Sequence, residues 1–411
     1  MKKFAICCAL AAALLGEEPE PHWRVLNHTA REAIQAKDNA KLRATLLELK
    51  PLLPGNPRIQ YNLAASEAKL GNKAVALTGI RDLARAGLIY DFAADDDFAA
   101  LRSTPEFAAV VKQVEENKKA ISHSATVFAL SERDLIPEDI AYDPKTRRFL
   151  IASVRQAKII ETDGATTRDF AKTEWPVLAL RMDERRGILW AATGWLAHCE
   201  HCSAGDKDRT ALLAFDLNSG ALRKRIESPV PGLLGDMTIS RNGDLYVSEG
   251  IHGAVLRLRA GANQLERLDV AGEFASPQTP ALSADEKTLY VADYVRGIAA
   301  ITLPTRAVRW LEPADGFALS GVDGLYVYRN SLIAVQNGTN PARIVRFSLD
   351  LQKQEILEAN APYLGQPTHG TLAADTFYFI ANTGWDQYDD NGKRNAGAPP
   401  VVSTVRKMAL K

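Results

Sequence analysis

The chain has 411 residues, enough for two domains with good cores, and its 46% hydrophobic and 24% charged content is that of a soluble globular protein. The 50 basic and 50 acidic residues cancel. This balance removes the electrostatic basis for nucleic-acid binding, and no block of like charge marks a membrane surface.

The first residues, MKKFAICCALAAALLGEE, place Lys2 and Lys3 before an apolar run over 4–15 that ends at Gly16. That run is too short to span a bilayer and has the order of a signal peptide, so residues 1–16 are expected to be removed on export to the periplasm or the exterior. Cys7 and Cys8 would go with it, leaving Cys199 and Cys202, for which an exported protein permits a disulfide.

Residues 23–120 read as a small all-α domain. Apolar residues recur at helical spacing over 23–53 (Val25, Leu26, Ala30, Ala33, Ile34, then Leu42, Leu46, Leu47, Leu49), until Pro51 and Pro54-Gly55 end the run. In YNLAASEAKLGNKAVALTGIRDLARAGL, the residues Tyr61, Leu63, Ala64, Leu70, Gly71 and Ala76 sit where a tetratricopeptide repeat places its large, small and turn residues. Asp95, Asp96 and Asp97 resemble a metal cluster, but they precede Phe98-Ala99-Ala100-Leu101, and acidic residues favour a helix start. Helical repeats make docking surfaces, so this domain is a candidate for a protein partner.

From about 125 the period changes to that of strands. Turn-plus-strand units begin near 143, 183, 242, 285, 330 and 375, at intervals of 40, 59, 43, 45 and 45 residues. The clearest is SPQTPALSADEKTLYVADYVRGIAAITL over 276–303, with β-branched and aromatic runs between Asp/Gly turns. A period in the forties with about four strands per unit is the signature of propeller blades, so 125–411 is expected to form a six-bladed β-propeller. The long interval carries an insertion over 196–209 in blade two. ATVFALSE (125–132) is expected to supply the outer strand of the last blade beside VVSTVRKMAL (401–410), removing a free sheet edge.

A propeller binds ligands at one end of its central channel, where the innermost strands begin. The residues there are Pro137-Glu138-Asp139, Gly235-Asp236, Pro277-Gln278, Val322-Asp323-Gly324 and Thr368-His369-Gly370. Carboxylates converging on one axis repel unless a cation or proton offsets them, which points to a metal.

Three stretches carry a resemblance: Pro137 to Asp143 (PE-x-I-A-x-D), Leu282 to Asp293 (LS-x-D-x-K-T-LY-x-AD) and Val322 to Leu325 (VDGL). Over about 130–410 the chain resembles the SMP-30/gluconolactonase/luciferin-regenerating-enzyme family of six-bladed propellers. The resemblance implies a divalent cation, calcium above all, at the top of the channel, with Glu138 and Asp323 as ligands. Gln278 stands where the family has an Asn ligand, and a Gln carbonyl lies one methylene further out. In blade three Gly235-Asp236 stands where the family commonly has Asn-Asp, so Asp236 remains and the substrate-side Asn is absent. The implied chemistry is metal-assisted hydrolysis of a lactone or related ester, with Asp323 as base.

Other residues are weighed beside these. His369 can reach the channel mouth as an acid or base, or be a satisfied structural histidine. Thr193-Gly194-Trp195 and Thr383-Gly384-Trp385 hold equivalent places in blades two and six, so Trp195 and Trp385 are either packing or the aromatic walls of a pocket for a small ligand. His198-Cys199-Glu200-His201-Cys202 is spaced too tightly for paired zinc knuckles, and a disulfide or a thiol pair fits it better. Asp386, Asp389, Asp390 and Asn391 fail the EF-hand pattern. Asp293 reads as a turn and blade-packing residue. Two functions follow: a metal-dependent hydrolase, or a non-catalytic exported protein binding a ligand on its propeller and a partner on its helices.

Overall fold

A computed structural model describes residues 20–411 except 271, 315 and 399. The expected signal segment, with Cys7 and Cys8, lies outside the described residues. Among those described, no helix is long and apolar enough to cross a membrane.

The helical run expected over 23–53 is two helices, α1 (His22–Gln35) and α2 (Asn39–Leu49). Lys37 takes a left-handed conformation at φ 54°, and Asp38 restarts the chain by accepting from the Lys41 amide at 2.9 Å. Only one stripe of α1 is buried (Trp23, Leu26, Ala30, Ala33), while Val25 and Ile34 face out. Next come α3 (Pro57–Lys69) and α4 (Lys73–Arg85), joined through Gly71 at φ 84°. They pack closely enough that a Cβ on Gly79 would lie 2.9 Å from that of Ala64. Asp95 caps the short 3-10 turn Asp96–Leu101, accepting from Asp97 N, and also takes the Tyr61 hydroxyl, while Asp97 pairs with Lys69 at 2.6 Å. The helix-start role of this acidic run is what the structure shows. Thr104 then caps α5 (Pro105–Asn117).

Six antiparallel sheets follow, each with its first strand innermost. The inner strands are Pro137–Asp143, Val177–Asp183, Leu234–Ile239, Pro277–Leu282, Val322–Tyr328 and Gly370–Ala373. The ring closes as the sequence requires: Ala125–Ala129 is the outer strand of blade six, antiparallel to Thr404–Ala409, with Ala125 opposite Lys407 and Ala129 opposite Thr404. A second tie was not foreseen. Ile121–Ser122 adds a fifth strand to blade five, opposite Ala359 and Glu358.

The inner strands of blades one to five share a defect that positions the site. Each shifts register near its beginning, between Pro137 and Ile140, Val177 and Ala179, Leu234 and Met237, Pro277 and Pro280, and Val322 and Gly324. A bulge leaves residues without cross-strand partners and re-aims their side chains. The freed residues are Glu138-Asp139, Leu178, Gly235-Asp236, Gln278-Thr279 and Asp323.

The helices dock on blades four and five, at the end where the inner strands begin. Gly55 O accepts from Leu319 N at 2.9 Å, Asn56 Nδ2 donates to Val295 O at 2.9 Å, and Ile89 N donates to Asn340 O at 2.7 Å. Arg343, fully buried, donates to Ala86 O at the end of α4 and to Gln336 Oε1 at 2.9 Å. Burial pushes its guanidinium pKa down, to about 10. Ala318 joins the core of α3–α5, and Ala275 and Val295 join that of α1 and α2.

Candidate functional site

Three of the bulge residues and one residue just ahead of blade six meet on the channel axis. Glu138, Asp323 and His369 bring one ligand atom each within 4.8 Å of one another, all three buried. Asp236 completes the group, its Oδ1 lying 2.6 Å from His369 Nε2, while Asp323 Oδ1 lies 3.7 Å from the same nitrogen. The other ring nitrogen, Nδ1, is 3.0 Å from the Glu138 carbonyl and 3.7 Å from Glu138 Oε1. A carbonyl can only accept, so Nδ1 carries a proton and Nε2 is the atom turned to the carboxylates. The contact between Nε2 and Asp236 is ionic rather than an in-line hydrogen bond, and both atoms are buried without a hydrogen-bond partner.

The neighbours fix these groups. Thr368 Oγ1 donates to Glu138 O at 2.7 Å, and Trp385 Nε1 donates to Glu138 Oε2 at 2.5 Å. Asn337 Nδ2 donates to Asp323 Oδ2 at 2.6 Å. Asp139, the second freed residue of blade one, is bound elsewhere: its carboxylate takes Leu180 N at 2.8 Å and Arg181 Nη1 at 2.7 Å, tying blade one to blade two. Arg181 thus answers Asp139, and the remaining three carboxylates face a single imidazole.

Electrostatics follow from burial. Desolvation pushes the Glu138 carboxyl up, to about 8, with His369 opposing and Asp323 adding to the rise. Desolvation likewise raises Asp323 above the usual carboxylate range, again opposed by His369. For His369 burial alone would lower the pKa, but the Asp236 and Asp323 carboxylates hold it well above 6.5. The folded protein therefore keeps protons that an unfolded chain releases near 4.5 and 6.5. Folded stability must then fall as pH rises through this range. Melting of the cation-free protein in chelator should show a falling Tm from pH 5 to pH 8, flattened by a divalent cation. A Tm that climbs over that range contradicts the assignment.

The atoms present fit a divalent cation. A histidine that gives one N–H to a backbone carbonyl and turns the other nitrogen to carboxylates has the outer contact typical of metal-ligating imidazoles. The orphaned Asp236 Oδ1 and His369 Nε2 sit where such an ion would satisfy them.

Of the residues singled out from sequence, Glu138, Asp236, Asp323, His369 and Trp385 come together. Gln278 has its amide nitrogen bonded to Ser276 Oγ at 3.0 Å and, more weakly, to Ser276 O, and none of its hydrogen bonds reaches the cluster. Trp195 has its backbone N–H on Arg209 O, and its indole nitrogen is buried without a hydrogen-bond partner, so among the described residues it donates to none of the acids. The two Thr-Gly-Trp stretches also differ in shape, since Gly384 has φ 80° and Gly194 does not enter the left-handed region. Cys199 and Cys202 form a disulfide, which removes the thiolates a zinc site needs. Their insertion still reaches the mouth, where the His198 ring lies edge-on to Trp385 at 4.8 Å. Sequence reading passed over Asn337 and Tyr294; the only hint was the Asn-Gly turn at Asn337-Gly338.

No family model matches the chain. No curated protein matches it either. Solved structures do, at low identity. A calcium-binding protein, regucalcin, from Agrobacterium tumefaciens has a TM-score of 0.48 at 15% identity, covering 69% of this chain and 93% of its own. Aldose sugar dehydrogenase from Streptomyces coelicolor, in its PQQ-bound form, has a TM-score of 0.44 at 13% identity over 71% of this chain and 99% of its own. Luciferin-regenerating enzyme has a TM-score of 0.45 at 13% identity over 71% of this chain and 93% of its own. The chain is a six-bladed β-propeller preceded by an N-terminal helical region.

Proposed function

We propose that the propeller holds a divalent cation at the top of its channel and hydrolyses a lactone or related ester there. The observation that carries this reading is the placement of His369 Nε2 among Glu138, Asp236 and Asp323, three buried carboxylates answered by one imidazole. Those four side chains are the ones to hold the ion. When bound, the ion supplies Lewis-acid polarisation of a carbonyl and acidifies a water. Asp323, raised by burial, is the group to accept a proton from the attacking water and to return it to the leaving oxygen, while His369, its Nδ1–H on the Glu138 carbonyl, holds Nε2 toward the ion. Trp385 keeps Glu138 pointed inward and presents its ring at the mouth.

Calcium suits the carboxylates, and the imidazole nitrogen adds affinity for manganese or zinc over an all-oxygen set. The Cys199–Cys202 disulfide supports an oxidising compartment, hence export.

The test is the metal content of the purified full chain by mass spectrometry, followed by a lactone panel with and without chelator. About one equivalent of metal and hydrolysis lost on chelation, and lost again in Glu138→Gln, are expected. Metal-free protein without hydrolysis overturns the reading. The second reading, a binding propeller with a partner on its helices, is supported by the exposure of Val25, Ile34 and Val75 on α1 and α4. A protein that holds the ion and a ligand but turns over no lactone or ester fits it instead.

A further inference from the structure

Three consecutive residues in blade four face two different parts of the molecule. They form the turn between strands Thr288–Asp293 and Gly297–Thr302. Val295 and Arg296 grip the helices. Val295 O accepts from Asn56 Nδ2 at 2.9 Å, and its side chain packs on the α1–α2 core. The Arg296 guanidinium lies over the Trp310 ring at 4.0 Å and the Trp23 ring at 5.7 Å, and it also reaches Leu52 O at 3.4 Å.

Tyr294 turns the other way. Its hydroxyl bonds Asn337 Oδ1 at 2.9 Å, and Asn337 Nδ2 bonds Asp323 Oδ2 at 2.6 Å. The direction of this relay is determined. A carboxylate buried in the folded protein accepts, so the Asn337 amide nitrogen must point at Asp323, its oxygen at Tyr294, and the tyrosine must donate. Asp323 is thereby held by one oxygen, with Oδ1 left toward His369. Gly338 and Gly321 make room for the ring: a Cβ on Gly338 would lie 2.7 Å from Tyr294 and 2.5 Å from Gly321 Cα. Gly321 N in turn donates to Tyr294 O at 2.8 Å.

We infer that Asn337 and Tyr294 are positioning residues for the cation site, and that the helical region sets their position through the turn 294–296. This rests on the cation reading above. The helices are then a brace for one ligand of the site rather than an appended module. What loosens Asn56 from Val295 weakens the hold on Asp323, although α3 lies outside the cluster.

Calorimetric titration of the full chain with CaCl2 and with MnCl2 tests this, on wild type, Asn337→Ala, Tyr294→Phe, Asn56→Asp and the double variant Asn56→Asp/Asn337→Ala. Asn56→Asp keeps the side-chain acceptor that caps α3 and sets a carboxylate oxygen, which cannot donate, against Val295 O. Loss of an outer contact typically weakens metal affinity about 10- to 100-fold. Asn337→Ala is expected near the lower end, about tenfold, with Tyr294→Phe and Asn56→Asp smaller. Coupled residues are non-additive, so the double variant should be no weaker than Asn337→Ala alone. Tm values close to wild type separate positioning from unfolding, and Tyr294→Phe, lacking only a hydroxyl, serves if Asn337→Ala does not fold. Wild type that binds neither ion overturns the cation reading and this inference with it. Wild type that binds, with Asn337→Ala and Tyr294→Phe binding equally well, overturns this inference alone. Additive effects of Asn56→Asp and Asn337→Ala remove the helices from the route and overturn the bracing role.

Discussion

Asp293→Ala should destabilise the protein by about 3 kcal/mol or more, because one buried and three part-buried amides lose their acceptor at roughly 1–3 kcal/mol each, less than additively. Asp293 is fully buried. One carboxylate oxygen accepts from Ala275 N at 2.7 Å and Ser276 N at 3.0 Å, the other from Val295 N at 3.0 Å and Arg296 N at 2.9 Å. It thus stitches the beginning of the inner strand of blade four to the turn that grips the helices. Burial raises its pKa even so, against the pull of the four amides. Asp293→Asn keeps one carbonyl acceptor and should recover part of the loss. Urea denaturation of both variants measures this, and an Asp293→Ala protein within about 1 kcal/mol of wild type would contradict it.

His369→Ala should cost the cation-free protein about 3–5 kcal/mol at pH 8, the usual cost of removing one partner from a buried ionic cluster. Among the described residues the imidazole is the one cationic group paired with Asp236, and it also faces Glu138 and Asp323. Without it the three carboxylates must take up protons or repel. The deficit should shrink at pH 5, where protons are available to them, because acids raised by burial bind protons preferentially in the folded state. A divalent cation should restore more stability to His369→Ala than it adds to wild type, since it substitutes for the lost charge. Denaturation in chelator and in calcium, at both pH values, gives the comparison. A variant as stable as wild type in chelator at pH 8 would mean that the cluster is not held by its imidazole.

The blade count was legible because strand and turn chemistry repeats at a near-constant interval, and a period survives local ambiguity. Ring closure was legible for a related reason: a β-branched segment at 125–132 had no partner nearby, and blade six was one strand short. The helical break at Lys37-Asp38 was not, since apolar spacing runs through it and the cap competes with a longer helix at little cost. At the site, Glu138, Asp236, Asp323 and His369 were legible as polar residues just ahead of apolar strands. What periodicity could not show is the register shift that frees them, because a bulge changes pairing without changing composition. Gln278 occupies the same freed position in blade four as Glu138 in blade one, yet its amide turns back on Ser276. The two side chains are equally long, but the Gln amide nitrogen is a donor and finds acceptors on Ser276, which a carboxylate would not. Asn337 and Tyr294 lie on turns after second strands, where no pattern separates a support from an ordinary loop residue.

The two ends of the propeller sequence meet in blade six, and this has a consequence for how the chain is made. Ala125–Ala129 emerges in synthesis well before its partner Thr404–Ala409. Until then the first strand waits unpaired beside an incomplete ring with an open edge, the state in which strands are most prone to pair with other chains. The short tie of Ile121–Ser122 to Glu358 and Ala359 forms some forty-five residues sooner, counting to Thr404. It parks the waiting strand against blade five beforehand, so the last pairing to form is a short search rather than a long one.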